Sequence, residues 1–280
     1  MFTKLLKYEF RAQRKLLSIL SLSALGAGII GGLMMWLITG SDVIYGSFTT
    51  ENDFAAAMLI SFSTTLMLGA IFAIIAYIVA VYILLLYRFY KHHFSDEGYL
   101  TFTLPATTHQ ILLSSILNII IWSFICIVVA ILAYIMLFAP IIHMAMQEIQ
   151  QMQGFMPDIS YNIFPDLGAG QLVLGIFYMI ATSLYSLILP LLSITLGALV
   201  AKKHKILASF GIYYGLSAVL SVITGIIQIF SVVSDVVVSA ESNSLYLTFS
   251  YLIPSLLYLG IGIGGYFLMH RLVSRKLNLP

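Results

Sequence analysis

Six apolar runs, none holding a charged or histidine side chain, constrain this 280-residue chain more than any other feature. They cover residues 17–39, 55–86, 111–140, 171–200, 206–232 and 246–269. Each exceeds the ~20 residues that an α-helix needs to cross a hydrocarbon core. Lipid offers the backbone no hydrogen-bond partner, so runs of this length must be helical. Composition agrees, because 61% hydrophobic and 9% charged residues with a mean hydropathy of +1.03 fall outside the soluble range. The expected fold is an all-α membrane protein with six transmembrane helices, a single transmembrane domain over residues 1–280.

Charge then orients it. All 13 Lys and Arg residues fall on one side of the zigzag. Lys4, Lys7, Arg11, Arg14 and Lys15 precede span 1, and Arg88 and Lys91 follow span 2. Lys202, Lys203 and Lys205 follow span 4, and Arg271, Arg275 and Lys276 follow span 6. The opposite loops carry only acids: Asp42, Glu51, Asp53, Glu148, Asp158, Asp166, Asp235 and Glu241. The positive-inside rule therefore predicts a multi-pass plasma-membrane protein with both termini in the cytoplasm. The net charge of +2 matters less than this asymmetry. A basic inner face suits anionic lipid, at roughly 1 kcal/mol per nearby cation, and leaves no need for nucleic acid as a partner. The first run is too long for a cleavable signal core and reads as a retained anchor. The lone Cys126 excludes an intrachain disulfide.

Residues 1–16 read as an interfacial amphipathic helix. Phe2, Leu5, Leu6, Phe10 and Leu17 share one face, and Lys4, Lys7, Arg11 and Arg14 another. An ordinary topology-setting basic flank would have the same composition. Span 2 makes about 48 Å of helix at 1.5 Å per residue, more than one crossing needs, and its pattern continues toward Phe94. Spans 4 and 5 are joined by the short basic turn at 201–205, which predicts an αα-hairpin. No internal repeat is visible.

Chemistry by the chain itself is disfavoured. Intramembrane enzymes and ion-coupled carriers need ionisable side chains at depth, and the six runs have none. There is no HExxH, no GxSxG and no GxxxxGK[ST], so no protease, esterase or phosphate-binding loop is encoded, and any ATP must be bound by another chain. His92, His93 and His109 are the one trio to weigh as metal ligands, and adjacent histidines diverge on a helix. His143 stands alone. No metal, cofactor or catalytic residue is expected.

The informative connection is residues 94–113, FSDEGYLTFTLPATTHQILL. Ser95 is a helix N-cap with Asp96 and Glu97 in the first turn, Pro105 ends that element, and Thr107 with Gln110 forms a capping box for span 3. Phe94, Tyr99, Leu100, Phe102 and Leu104 give the short helix an apolar side, to be covered either by the protein's own helices or by a partner.

With the basic amphipathic N-terminal helix, the six spans and an acidic-glycine segment followed by Leu-Pro, the chain resembles the membrane (permease) subunits of type-2 ABC exporters, bacterial ATP-binding-cassette transporters. The resemblance covers essentially the whole chain. It implies that Glu97, Gly98, Leu104 and Pro105 belong to a cytoplasmic coupling helix, within a coupling loop at 94–105, that docks on a separate ATPase subunit. ATP and Mg would be bound there. Phe94, Asp96, Tyr99 and Phe102 would then contribute to the docking contact. One departure is Ser114 and Ser115, where many members carry Lys near the start of span 3.

Small residues recur at close-packing spacing in Gly28/Gly32, Gly211/Gly215 and Gly260/Gly264, with Gly69/Ala73 weaker, which predicts tight helix packing within the subunit or across a dimer. Thr64, Thr65, Asn118 and Gln228 are candidate lining of a substrate path. Tyr77, Tyr82, Tyr134, Tyr178, Tyr185 and Tyr213 are candidates too, although packing or an interface belt is the ordinary role for such residues. The function expected from the resemblance is export of a peptide, lipid-like or hydrophobic drug-like substrate by alternating access, with a second permease copy and ATPase subunits. The alternatives are a non-transporting assembly or sensory subunit and, behind it, a secondary carrier.

Overall fold

A computed structural model of the chain describes residues 2–40, 53–95, 98, 107–155, 169–201, 204–237 and 248–276. Among them the chain is all helical: α1 (Phe2–Gly40), α2 (Asp53–Phe94), α3 (Thr108–Phe155), α4 (Ala169–Val200), α5 (Lys205–Val237), a π-helical turn (Thr248–Leu252) and α6 (Ile253–Lys276). Six of these helices are long and apolar enough to cross a membrane: Phe2–Ile38, Ile60–Phe94, Thr108–Gln147, Gly170–Val200, Lys205–Val233 and Thr248–Ser274. They fall on the six runs read from the sequence. Dozens of large apolar side chains face outward, Leu22, Phe72, Phe124 and Met179 among them, as expected of a protein whose solvent is lipid.

Helix lengths depart from the runs in an informative way. The basic arm and the first span form one unbroken 39-residue helix, so no hinge separates the amphipathic turns from the apolar ones. No Gly or Pro occurs between Phe2 and Leu25 to interrupt the ladder. α3 runs on through Pro140 to Phe155, 48 residues in all, past the run's end at 140. The residues beyond the proline, IIHMAMQEIQQMQ, are mostly good helix formers.

The fold divides into two compact units, Met1–Leu85 with Ser114–Tyr161, and Leu86–Leu113 with Asn162–Pro280. In the first, Ala70 and Ile74 of α2 and Ala133 and Leu137 of α3 form a buried cluster flanked by Leu25 of α1. α1 lies unusually close to α3. A Cβ on Gly28 would meet the Ala133 backbone, with the carbonyl oxygen at 2.6 Å and Cα at 2.9 Å. A Cβ on Gly32 would run into the carbonyl of Met136. Pro140 has no N–H to give that carbonyl, its usual partner one turn on. Glycine and proline on facing helices thus let a released carbonyl lie against a bare Cα, where a weak Cα–H···O contact is possible.

In the second unit α4 is the hub, packing against both α5 and α6. Ile188, Leu189, Leu191 and Leu192 of α4 are buried, as are Met269 and Val273 of α6. Gly262 and Gly265 admit the Ile188 side chain at van der Waals range. At the α4–α5 turn, a Cβ on Gly197 would strike the Ser209 backbone, with its nitrogen at 2.6 Å. That close approach closes the expected αα-hairpin.

Candidate functional site

The segment between α2 and α3 begins and ends in tightly held caps. α2 ends in an aromatic cluster in which His93, 1% exposed, lies 4.5 Å from the Phe89 ring and donates from Nδ1 to the Phe89 carbonyl at 3.0 Å. Phe94 meets Phe89 edge-on at 6.2 Å. The chain then turns sharply: the Gly98 amide donates to the Ser95 carbonyl at 2.7 Å. Gly98 is buried, and a Cβ there would meet the His93 carbonyl oxygen at 2.7 Å and carbon at 2.9 Å. Steric exclusion therefore requires glycine at this point, where any side chain would push the turn off the end of α2.

The far end is capped as expected. The Gln110 amide donates to Thr107 Oγ1 at 3.3 Å and the Ile111 amide to the Thr107 carbonyl at 3.1 Å, satisfying donors that a helix start leaves open. One turn in, His109 shares a hydrogen bond with Tyr266 of α6 and lies edge-on to His270. Of the residues expected from the sequence to couple, Phe94 and Gly98 are described, both at the C-terminal end of α2. Asp96, Glu97, Tyr99, Phe102, Leu104 and Pro105 lie outside the described residues.

The residues expected along a path have these surroundings, each within its own unit. Thr64 and Thr65 are exposed on α2 and donate to the Ser61 carbonyl of their own helix at 2.9 and 2.7 Å. Gln228 is exposed on α5. Asn118 is 1% exposed and donates from Nδ2 to Gln13 Oε1 at 3.1 Å, which places it in a helix seam. Tyr77 is buried and shares a hydrogen bond with Ser21 at 3.1 Å, while Tyr134 stacks on Phe138. Of the glycine pairs, Gly28 and Gly32 meet α3 closely. A Cβ on Gly211, Gly215, Gly260 or Gly264 would meet nothing within 4 Å, and Gly69 is equally open.

Sequence reasoning passed over the polar seam between α1 and α3. Ser115 donates to Glu9 Oε1 at 2.7 Å and Ser114 to the same oxygen at 3.4 Å. Gln13 meets Asn118 one turn on, and Phe10 stacks on Trp122 at 4.7 Å. Glu9 is 8% exposed. The signal was present: one acid in a basic arm, four residues before a glutamine, opposite polar residues at helical spacing near the start of span 3. Ser114 and Ser115, the departure noted from the family pattern, are the two that hold this carboxylate.

Among the described residues no three of His, Cys, Asp and Glu come together as metal ligands. Six apolar helices of spanning length define a multi-pass membrane protein, in which a few polar side chains, Ser21 with Tyr77 and Gln13 with Asn118 among them, bond from helix to helix. The chain matches no family model, no curated protein and no solved structure.

Proposed function

We propose that the chain is the permease subunit of an ATP-driven type-2 ABC exporter, with both termini cytoplasmic and the 94–105 segment acting as its coupling element. The observation that carries the reading is the turn at Gly98. An acidic-glycine segment leaves α2 on the basic side of the zigzag, with its glycine pressed against the α2 C-terminus where a push on the segment passes directly into the helix backbone. Two copies, or one with a similar permease, enclose the path, and separate ATPase subunits bind ATP and Mg below.

Energetics bound the contact. Moving a two-state equilibrium from 1:99 to 99:1 takes about 5.5 kcal/mol of differential binding, more than an exposed ion pair at Asp96 or Glu97 supplies. Apolar anchors such as Phe94, Tyr99 and Phe102 must carry much of it. Spans without ions favour a peptide, lipid-like or hydrophobic drug-like cargo over a small hydrophilic ion.

The test is copurification of an ATPase with the tagged chain and its ATP turnover in nanodiscs. Glu97→Ala and Gly98→Ala should each lower the turnover of the complex several-fold, with Gly98→Trp abolishing it, while Gly211→Ala leaves it unchanged. Stable membrane insertion with no associated ATPase would favour the assembly or sensory reading instead.

A further inference from the structure

Four tyrosines of the second unit meet along α4 and α6, and Tyr185 among them stands near the middle of its helix. Tyr178 and Tyr185 stand on α4, Tyr251 in the π-helical turn and Tyr258 on α6. Tyr185 and Tyr258 stack at 4.7 Å, and Tyr178 touches Tyr258 at 6.0 Å and Tyr251 at 6.1 Å. All four are half-buried, so the group still presents ring surface outward. At 1.5 Å per residue, Tyr185 lies about 24 Å from the start of α4, near its middle, Tyr178 about 14 Å from that start, and Tyr258 about 8 Å into α6 beyond the π-helical turn. Belt tyrosines sit at the headgroup level instead.

A second observation falls at the same place. Thr182, one turn from both Tyr178 and Tyr185, has a buried hydroxyl with no hydrogen-bond partner. Three other helical threonines return to their own backbone: Thr65 to Ser61, Thr195 to Leu191 and Thr224 to Leu220. Thr182 does not, although an unmet hydroxyl in an apolar surrounding is costly. The group therefore offers electron-rich ring faces, phenolic oxygens and one unengaged hydroxyl, in spans that carry no formal charge.

We propose that the Tyr178–Tyr185–Tyr251–Tyr258 cluster with Thr182 is a binding site for a lipophilic organic cation. Ring faces attract cations, and most strongly when these are desolvated. A small inorganic ion would find too few oxygens here to replace its water. A cation with an apolar body sheds little hydration and is held by the rings. An anion of the same shape is repelled by those faces. The site gives chemical content to the cargo proposed above and rests on that reading only for its physiological role, since binding is measured on the permease alone.

The experiment measures saturable binding of radiolabelled tetraphenylphosphonium to the full chain in zwitterionic nanodiscs, with tetraphenylborate as the isosteric anion. Phosphonium should bind saturably above the empty-disc background, and borate should neither bind saturably nor compete. Tyr185→Leu with Tyr258→Leu should weaken phosphonium binding about tenfold or more, while Tyr185→Phe with Tyr258→Phe, which keeps the rings, stays within about threefold. Equal saturable binding of both probes to the unaltered chain overturns the proposal, as does phosphonium binding indifferent to the Leu pair. Loss in the Phe pair equal to that in the Leu pair, with both variants folded by size exclusion, overturns it too. An absent ATPase would sink the exporter reading and leave these binding results standing.

Discussion

Ser115 shows how much one hydroxyl can decide inside a bilayer. Its 2.7 Å bond to Glu9 Oε1 is much better formed than the 3.4 Å bond from Ser114 to the same oxygen, and hydrogen-bond strength falls steeply with distance. Ser115→Ala should therefore lower stability by about 1 kcal/mol, within the range of interhelical bonds in membranes, and Ser114→Ala by half of that or less. Unfolding in mixed detergent micelles, followed by tryptophan fluorescence, reads the difference because Trp122 stacks on Phe10 in the same seam. Equal costs would show that the two hydroxyls share the carboxylate evenly. The types of these residues were plain in the sequence, and the partnership was not. Glu9 and Ser115 lie 106 positions apart, and nothing local tells an acid in a basic arm whether it will face water or a neighbouring helix.

At the scale of helices, glycine spacing alone did not separate packed faces from open ones. Gly28/Gly32 and Gly211/Gly215 share the same four-residue interval, yet only the first pair lies on another helix's backbone. Alanine should expose the contrast. Gly28→Ala and Gly32→Ala force α1 off α3 and should cost about 1 to 3 kcal/mol, the usual penalty of overpacking. Gly211→Ala and Gly260→Ala meet no atom and should be neutral or stabilising by up to about 1 kcal/mol, through the lower helix propensity of glycine. Detergent unfolding midpoints of the four variants test this, and a cost at Gly211 or Gly260 would mean that those faces are covered. Helix ends were legible where a cap marks them, as at Thr107, and not where only the apolar run gave out, at 140. Pro140 is accommodated in α3 because the carbonyl it frees, that of Met136, lies against Gly32 across the helix interface. A long-range contact thus replaced a local rule.

Over the whole molecule, the number of spans and their approximate bounds followed from hydropathy, because an apolar run in water has no alternative as favourable as crossing lipid. The proposed orientation is tested by cysteine labelling. In a Cys126→Ser background, Ser274→Cys should react with a membrane-impermeant maleimide only in permeabilised cells, and Glu241→Cys in intact ones. The reverse pattern would put the 94–105 segment outside the cell and remove its role in coupling. What the amino-acid order determined by itself is the membrane environment, the six spanning runs, their charge polarity and the Thr107 cap of α3. Each depends on the transfer of residues between water and lipid or on neighbours within one turn. What only the tertiary structure decided is which helix faces touch: the Glu9 seam, the bare Cα at Gly32, and the meeting of Tyr185 with Tyr258. Those contacts join residues far apart in the chain, and in lipid, where apolar faces are nearly equivalent, close fit and hydrogen bonding select among them.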